Sequence, residues 1–325
     1  MTQDPPGIID AEAADRESEP LVSCVIPNYN GAAWVGEAVE SCLAQTYPRK
    51  EVVVVDDGSR DQSLHVLKGF AGRIRIVTQD NRGVSVARNV GIHYSQGSLI
   101  AFCDADDRWR ADKLERQVAL LRIQPQAAAC YTDFECFGDA PDAATAGFRN
   151  WRQQTRSSDQ PLALANRMVI SSVMARRWAL IRAGGFRAGV FYPADWLMWT
   201  ALEHIGEFLF LDEPLTCYRL HTGGTTVRMT VPHRLELLAA AIFHRLVAAA
   251  SGGRRQPIAP QALVDKLDEE FGWVLSELPT ADGPAAAAGL LVRRLAAGFR
   301  PSFYARCFPL IVRQYIGRHW QRRRA

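Results

Sequence analysis

LIAFCDADDRW, residues 99–109, decides how this chain is read. The apolar run LIAFC has the makeup of a buried strand, and DADD follows at once, with three carboxylates in four positions. The same switch occurs twice upstream, where VSCVIP (22–27) runs into NYNG and EVVVV (51–55) runs into DDGS (56–59). Unbroken Val/Ile/Leu runs bounded by turn formers predict strands covered on both faces. Helical spacing lies between them, in residues 33–44 (Val35, Ala38, Val39, Cys42, Leu43), from an N-cap at Ser59 to about Gly69, and in VSVARNVGIHYS (84–95). RIRIV (73–77) completes the set as a further strand. Such alternation predicts an α/β fold with a mostly parallel sheet and helices on both faces. Ligands of these sheets bind beyond the carboxyl ends of the strands. NYN, DDGS and DADD therefore share one edge.

The second half is less regular. Residues 127–134 and 168–175 are expected to be strands, joined by an Arg-rich connection (149–160) that reads as a mobile loop. IRAGGF (181–186) reads as a helix end with a glycine stop, DWLMWTALEHIG (195–206) as a helix, and EFLFLDEPLTCYRLH (207–221) as one or two strands. From Val231 to Ala325 the chain is rich in Ala, Leu and Arg and is expected to be mainly helical.

Composition excludes several classes. With 325 residues, 48% hydrophobic and 22% charged, the chain is neither disordered throughout, fibrous nor a disulfide-stapled miniprotein. Its seven cysteines form no CxxC pair, which argues against zinc and redox motifs and for reduced thiols in a cytoplasmic setting. Residues 1–20 lack a basic stretch followed by an apolar core and no run of about 18 apolar residues occurs, so neither a secretory signal nor a membrane span is expected. The formal net charge of +3 conceals a gradient: residues 1–20 carry six acids and one Arg and read as a disordered leader, whereas residues 293–325 hold nine Arg and no acid. Those Arg are interleaved with Phe, Tyr and Trp. The segment reads either as a helix docked on the body or as an amphipathic contact with an anionic membrane surface. It contains no recognised nucleic-acid motif, so no nucleic-acid partner is expected.

Three clustered carboxylates repel one another unless a cation or hydrogen-bond donors offset them. Mn2+ or Mg2+ with oxygen ligands and substrate phosphates would do so; so would an ordinary acidic turn with Asp107 capping the next helix. Tyr29, at the same edge, offers a ring for a nucleobase or simply packs on the rim. Arg82 and Arg88, in NRGVSVARN (81–89), lie at a helix start suited to an anion. Arg88 fits equally a structural ion pair with DDGS or DADD. Asp195 is either a base or a helix N-terminal acid stabilised by the macrodipole.

VSCVIPNYN, EVVVVDDGS, NRGVSVARNVGI, LIAFCDADDRW, ADWLMW and YRLH stand in this order over residues 21–226. In that order they resemble the family 2 glycosyltransferases of GT-A fold. The resemblance implies a nucleotide-sugar-binding half over 21–110, an acceptor-binding half over 111–230 and a helical basic region over 231–325. It implies a nucleotide-diphospho-sugar donor, with Pro27 and Tyr29 at the base, Asp56 and Asp57 at base or ribose, and Arg82 and Arg88 nearby. It assigns Asp104 to ribose or sugar hydroxyls, Asp106 to a divalent metal, His221 to the metal or diphosphate, and Asp195 to the base that deprotonates an acceptor hydroxyl. The implied reaction is single displacement with inversion. The acceptor would be a saccharide or lipid-linked hydroxyl in cell-envelope polysaccharide or glycolipid synthesis, at the inner face of the cytoplasmic membrane. One departure is Ala194, where the family usually has Glu.

Rival readings are weaker. A dinucleotide-binding dehydrogenase would carry GxGxxG after its first strand, and a nucleotidyltransferase a Gly-rich basic loop there; PNYNGAAWVGE is neither. A catalytically inactive scaffold or membrane-docking protein fits Ala194 and the basic end but not the retained Asp104, Asp106 and Asp195.

Overall fold

The computed structural model describes residues 19–139, 166, 168–188 and 194–224. The expectations for the leader, the 149–160 connection and the region from 231 onward fall outside these residues. One eight-stranded sheet organises the described chain. Its strands are β1 (Val22–Asn28), β2 (Lys50–Asp56), β3 (Arg75–Thr78), β4 (Leu99–Phe102), β5 (Arg108–Trp109), β6 (Ala127–Phe137), β7 (Val173–Arg176) and β8 (Glu207–Arg219), in the order β3-β2-β1-β4-β7-β6-β8-β5. The β3-β2-β1-β4 segment is parallel throughout, β7 is antiparallel to both β4 and β6, and β8 is parallel to β6 but antiparallel to β5. Helices α1 (Val35–Leu43), α2 (Ser63–Lys68), α3 (Val84–Tyr94), α4 (Lys113–Ile123), α5 (Arg177–Arg182) and α6 (Ala194–Glu203) complete the fold.

The period-2 alternation of β1 explains why both faces are covered. Val22, Cys24 and Ile26 join a core with Val35, Ala38, Val39 and Cys42 of α1 and Leu114, Val118 and Leu121 of α4. Val25 faces the other way, into a core with Ile100, Phe102, Phe186, Met198 and Trp199. Each such fully buried aliphatic or aromatic side chain contributes about 1.5–3 kcal/mol. Helix α3 lies so close on β1 that a Cβ at Gly91 would stand 2.3 Å from Val25 Cγ1. The chain reverses at β1, with β2 and β4 on either side, and this is the crevice where open α/β sheets bind ligands.

Several local expectations change. Ser59 is not an N-cap, because α2 begins at Ser63 and Asp61 Oδ1 accepts the Ser63 backbone N–H at 2.9 Å. Residues 170–172 form a 3-10 turn, so the strand expected over 168–175 is confined to β7. Residues 207–219 form one strand, kept continuous across Pro214 by register shifts against Thr132–Phe134. Pro214 has no N–H for the ladder, which is why the pairing slips there. The glycine stop appears as expected, with Gly184 and Gly185 at φ 86° and 73° after α5.

Candidate active site

Three loops at the carboxyl ends of β1, β2 and β4 build the site. The NYN and DDGS loops are laced together by short polar side chains. Asn28 Nδ2 donates to Asp56 Oδ2 (2.8 Å) and Ser59 Oγ (3.2 Å), and the Asn30 N–H donates to Ser59 Oγ (2.9 Å). Asp56 Oδ1 accepts the Ser59 N–H at 2.9 Å. Asp57 accepts from Gln79 Nε2 (2.6 Å) and from the backbone N–H groups of Arg82 (2.9 Å) and Gly83 (2.8 Å), pinning the loop before α3. Both carboxylates are buried and hold protein groups, work that the sequence reading did not foresee. Pro27 lies in β1 beyond the last β4 pair, at Val25–Phe102, so its missing N–H breaks no bond on that side. Tyr29 is 50% exposed and presents its ring at the edge. Arg82 is exposed in the loop between β3 and α3.

The DADD turn after β4 gathers its three carboxylates within 4.8 Å of one another. Arg88, buried on α3, donates to Asp104 Oδ1 at 2.8 Å and lies over the Phe186 ring at 5.5 Å. Of its two readings, the structure therefore shows the ion pair with DADD. Asp107 does not cap a helix. It is buried, with Ser171 Oγ donating to its Oδ2 (2.6 Å) and the Arg219 N–H to its Oδ1 (2.8 Å). Asp106 is more open, and His221 Nε2 stands 3.1 Å from its Oδ2. The His221 ring packs on Trp34, centroids 4.2 Å apart.

Burial pushes the Asp104 and Asp107 carboxyls above the ordinary carboxylate range. Asp106 and Asp195 push Asp104 further up, while Arg88 opposes the rise. At Asp107, well above its ordinary value, the charges of Asp106 and Asp104 add to burial, and Ser171 and the Arg219 N–H offset part of it. Asp195 thus lies within electrostatic reach of Asp104 despite coming from α6, 91 residues later in sequence. Its Oδ1 accepts the Trp196 N–H (2.8 Å) and its Oδ2 accepts Asn166 Nδ2 (3.2 Å). Ala194 beside it is buried.

The donor set suits a hard divalent cation. Asp107 spends both oxygens on protein donors and Asp104 spends one on Arg88, which leaves Asp104 Oδ2 and Asp106 Oδ1 without a protein donor among the described residues. Two carboxylate oxygens next to an imidazole, at a turn where burial and then neighbouring negative charge raise Asp104 and Asp107, match the ligand chemistry of Mn2+ or Mg2+.

Sequence reading missed three contributors. Ser171 bridges the turn by accepting the Asp104 N–H (2.9 Å) as well as donating to Asp107. Trp34 supports His221, and Arg219 stands inside YRLH without having drawn notice. Only the last lay within one of the six ordered motifs.

The profile described as Glycosyl transferase family 2 matches residues 23–182. An uncharacterized glycosyltransferase of Rickettsia prowazekii is 28% identical over 214 residues, 64% of this chain and 66% of its own length. Chondroitin synthase of Escherichia coli is 28% identical over 222 residues, 67% of this chain but 31% of that protein. The chain thus spans under two thirds of the length of these relatives. Among solved structures, Staphylococcus aureus TarS 1–349 in complex with UDP-GlcNAc superposes with a TM-score of 0.63 at 17% identity, covering 85% of this chain and 81% of that one. The mannosyltransferase PcManGT of Pyrobaculum calidifontis, in complex with GDP-Man and Mn2+, gives 0.54 at 19% identity over 96% and 89%. At these identities the structural likeness speaks for the fold, and the profile match for the family. Through residues 23–182, with DDGS, NRGVSVARN and DADD in their places, this chain belongs to glycosyl transferase family 2 and has the GT-A fold.

Proposed function

We propose that this chain is an inverting glycosyltransferase that moves a sugar from a nucleotide-diphospho-sugar to an acceptor hydroxyl. The observation that carries the reading is the meeting of the Asp104–Asp106–Asp107 turn and Asp195 on one edge of the sheet. Tyr29 stacks on the base, and the loop pinned by Asp57 brings Arg82 and the start of α3 to the donor's anionic side. Asp106 and His221 would hold a divalent cation, which when bound would supply Lewis-acid stabilisation of the charge developing on the diphosphate. Arg88 orients Asp104, leaving its second oxygen for sugar or ribose hydroxyls. Asp195 takes the proton of the attacking hydroxyl. With one base opposite one leaving group, no covalent intermediate is needed and configuration inverts.

E. coli chondroitin synthase among the relatives supports polysaccharide as the product class. We place the reaction in cell-envelope polysaccharide or glycolipid synthesis, with a saccharide or lipid-linked acceptor on the cytoplasmic side. No helix of the described residues is long and apolar enough to cross a membrane, and the Arg-rich end from Arg293 is the proposed contact with an anionic membrane surface.

A panel of UDP- and GDP-sugars, incubated with and without Mn2+, tests the reading through release of nucleoside diphosphate and NMR of the anomeric product. Asp195→Asn is expected to lower transfer by about 10²–10⁴-fold while donor binding is retained. Transfer by the variant at the wild-type rate, or a retained anomeric configuration, would overturn the mechanism. Silence across the panel would favour the scaffold.

A further inference from the structure

The end of β8 grips the DADD turn at several points, and Arg219 makes two of them, one through its backbone and one through its side chain. The Arg219 backbone N–H donates to Asp107 Oδ1 at 2.8 Å, and its Nε donates to the main-chain carbonyl of Asp106 at 2.7 Å. Two residues on, His221 reaches the Asp106 carboxylate. The Arg219 guanidinium is itself held on three sides. Glu37 of α1 accepts from its terminal nitrogen at 2.7 Å, the Phe137 ring lies 4.4 Å from its carbon, and the Trp34 ring lies 6.0 Å away. Its side chain is only 12% exposed. A planar fork locked in this way fixes the peptide that follows Asp106, and with it the direction of the Asp106 carboxylate. Trp34, the same ring that Arg219 faces, also packs on His221.

We propose that Arg219 is a positioning residue for the cation site: held by Glu37, Trp34 and Phe137, it sets the aim of Asp106 and keeps His221 on the same centre. The link also has a reach. Glu37 and Trp34 belong to the segment that follows the NYN loop, so Arg219 ties the donor-side loop after β1 to the metal-side loop after β4. Residues that orient metal ligands typically change metal affinity by about 10–100-fold when they are altered. Lysine at this position would keep the charge but cannot donate to the Asp106 carbonyl and Glu37 in one plane.

The inference rests on the cation reading above, and the experiment separates the two. Mn2+ binding to full-length protein with UDP present is followed by the loss of the free Mn2+ signal in electron paramagnetic resonance, and melting temperature is recorded alongside. Wild type is expected to bind one Mn2+. Arg219→Lys should bind it about 10–100-fold more weakly while melting within a few degrees of wild type, with its transfer rate recovered by added Mn2+. Glu37→Gln, at an exposed carboxylate that cannot unfold the core, should weaken Mn2+ binding in the same direction by a smaller factor. Lowered melting temperature with unchanged Mn2+ affinity in both variants would assign Arg219 to stability alone and overturn the inference while sparing the cation reading. Absence of Mn2+ binding to wild type would remove both.

Discussion

Ser171→Ala tests whether the DADD turn is held from beneath. Ser171 is fully buried, and its hydroxyl serves two groups at once. It donates to Asp107 Oδ2 at 2.6 Å and accepts the Asp104 N–H at 2.9 Å. Alanine removes a bond to a carboxylate, worth about 1.5–3 kcal/mol, and strands a buried N–H at a cost of about 1–3 kcal/mol. The two losses share one hydroxyl, so a combined effect of about 3–4 kcal/mol is the working figure. In a domain of this size that lowers the melting temperature by roughly 6–15 °C. The assay is thermal unfolding of metal-free protein by circular dichroism near neutral pH, repeated near pH 4. The deficit should shrink as pH falls, because the Ser171 hydroxyl favours the ionised form of Asp107 and that preference counts for less as the carboxyl takes up its proton. A variant that melts within about 2 °C of wild type at both pH values would show that the turn does not depend on this hydroxyl. The bridging account of Ser171 would then be wrong.

Two other outcomes follow from the same geometry. Asp104 and Asp107 are held above the ordinary carboxylate value of about 3.9, so over the window between that value and their raised ones the folded chain keeps protons that the unfolded chain has released. Stability of the metal-free protein should therefore fall as pH rises through that window, and Asp107→Asn should flatten the slope; an unchanged slope in denaturant melts would refute this. Tyr29→Ala removes a half-exposed ring with no core role, so nucleotide affinity should drop by about 1–3 kcal/mol with melting temperature unchanged, as calorimetric titration with UDP and GDP can check; equal affinity would place the base elsewhere.

What could be read in the sequence was whatever depends on neighbours in the chain. Apolar runs ending in Asn28, Asp56 and Phe102 gave the parallel segment and the shared edge, because strand burial and turn chemistry are both local. Ser59 misled for a local reason. Its hydroxyl has the chemistry of a cap, but Asn28 and the Asn30 N–H, about thirty residues away in sequence, claim it first. Lys113 gives no sign in the sequence of being fully buried, with Nζ 2.7 Å from Gln117 Oε1 and over the Trp109 ring. That placement is decided by the packing of α4 against the sheet, which no periodicity announces.

The candidate site divides along the same line, and the division has a physical cause. Acids proposed to face a ligand must be of one type at one place, so Asp104, Asp106 and Asp195 are legible as letters in a motif. The groups that restrain them need only offer a donor of the right length from whichever strand passes by. Ser171 comes from a 3-10 turn sixty-four residues beyond Asp107, and Arg219 from a strand end 113 residues beyond Asp106. Neither position is marked by its own surroundings, since a buried serine before a strand and an arginine at a strand end are common. They acquire meaning once β7 and β8 are seen to bring them under and beside the turn. The protonation of that turn is set by the same division: burial first, and then the neighbouring acids, raise Asp104 and Asp107, while Arg88, Ser171 and the Arg219 N–H, brought in from other elements, oppose the rise.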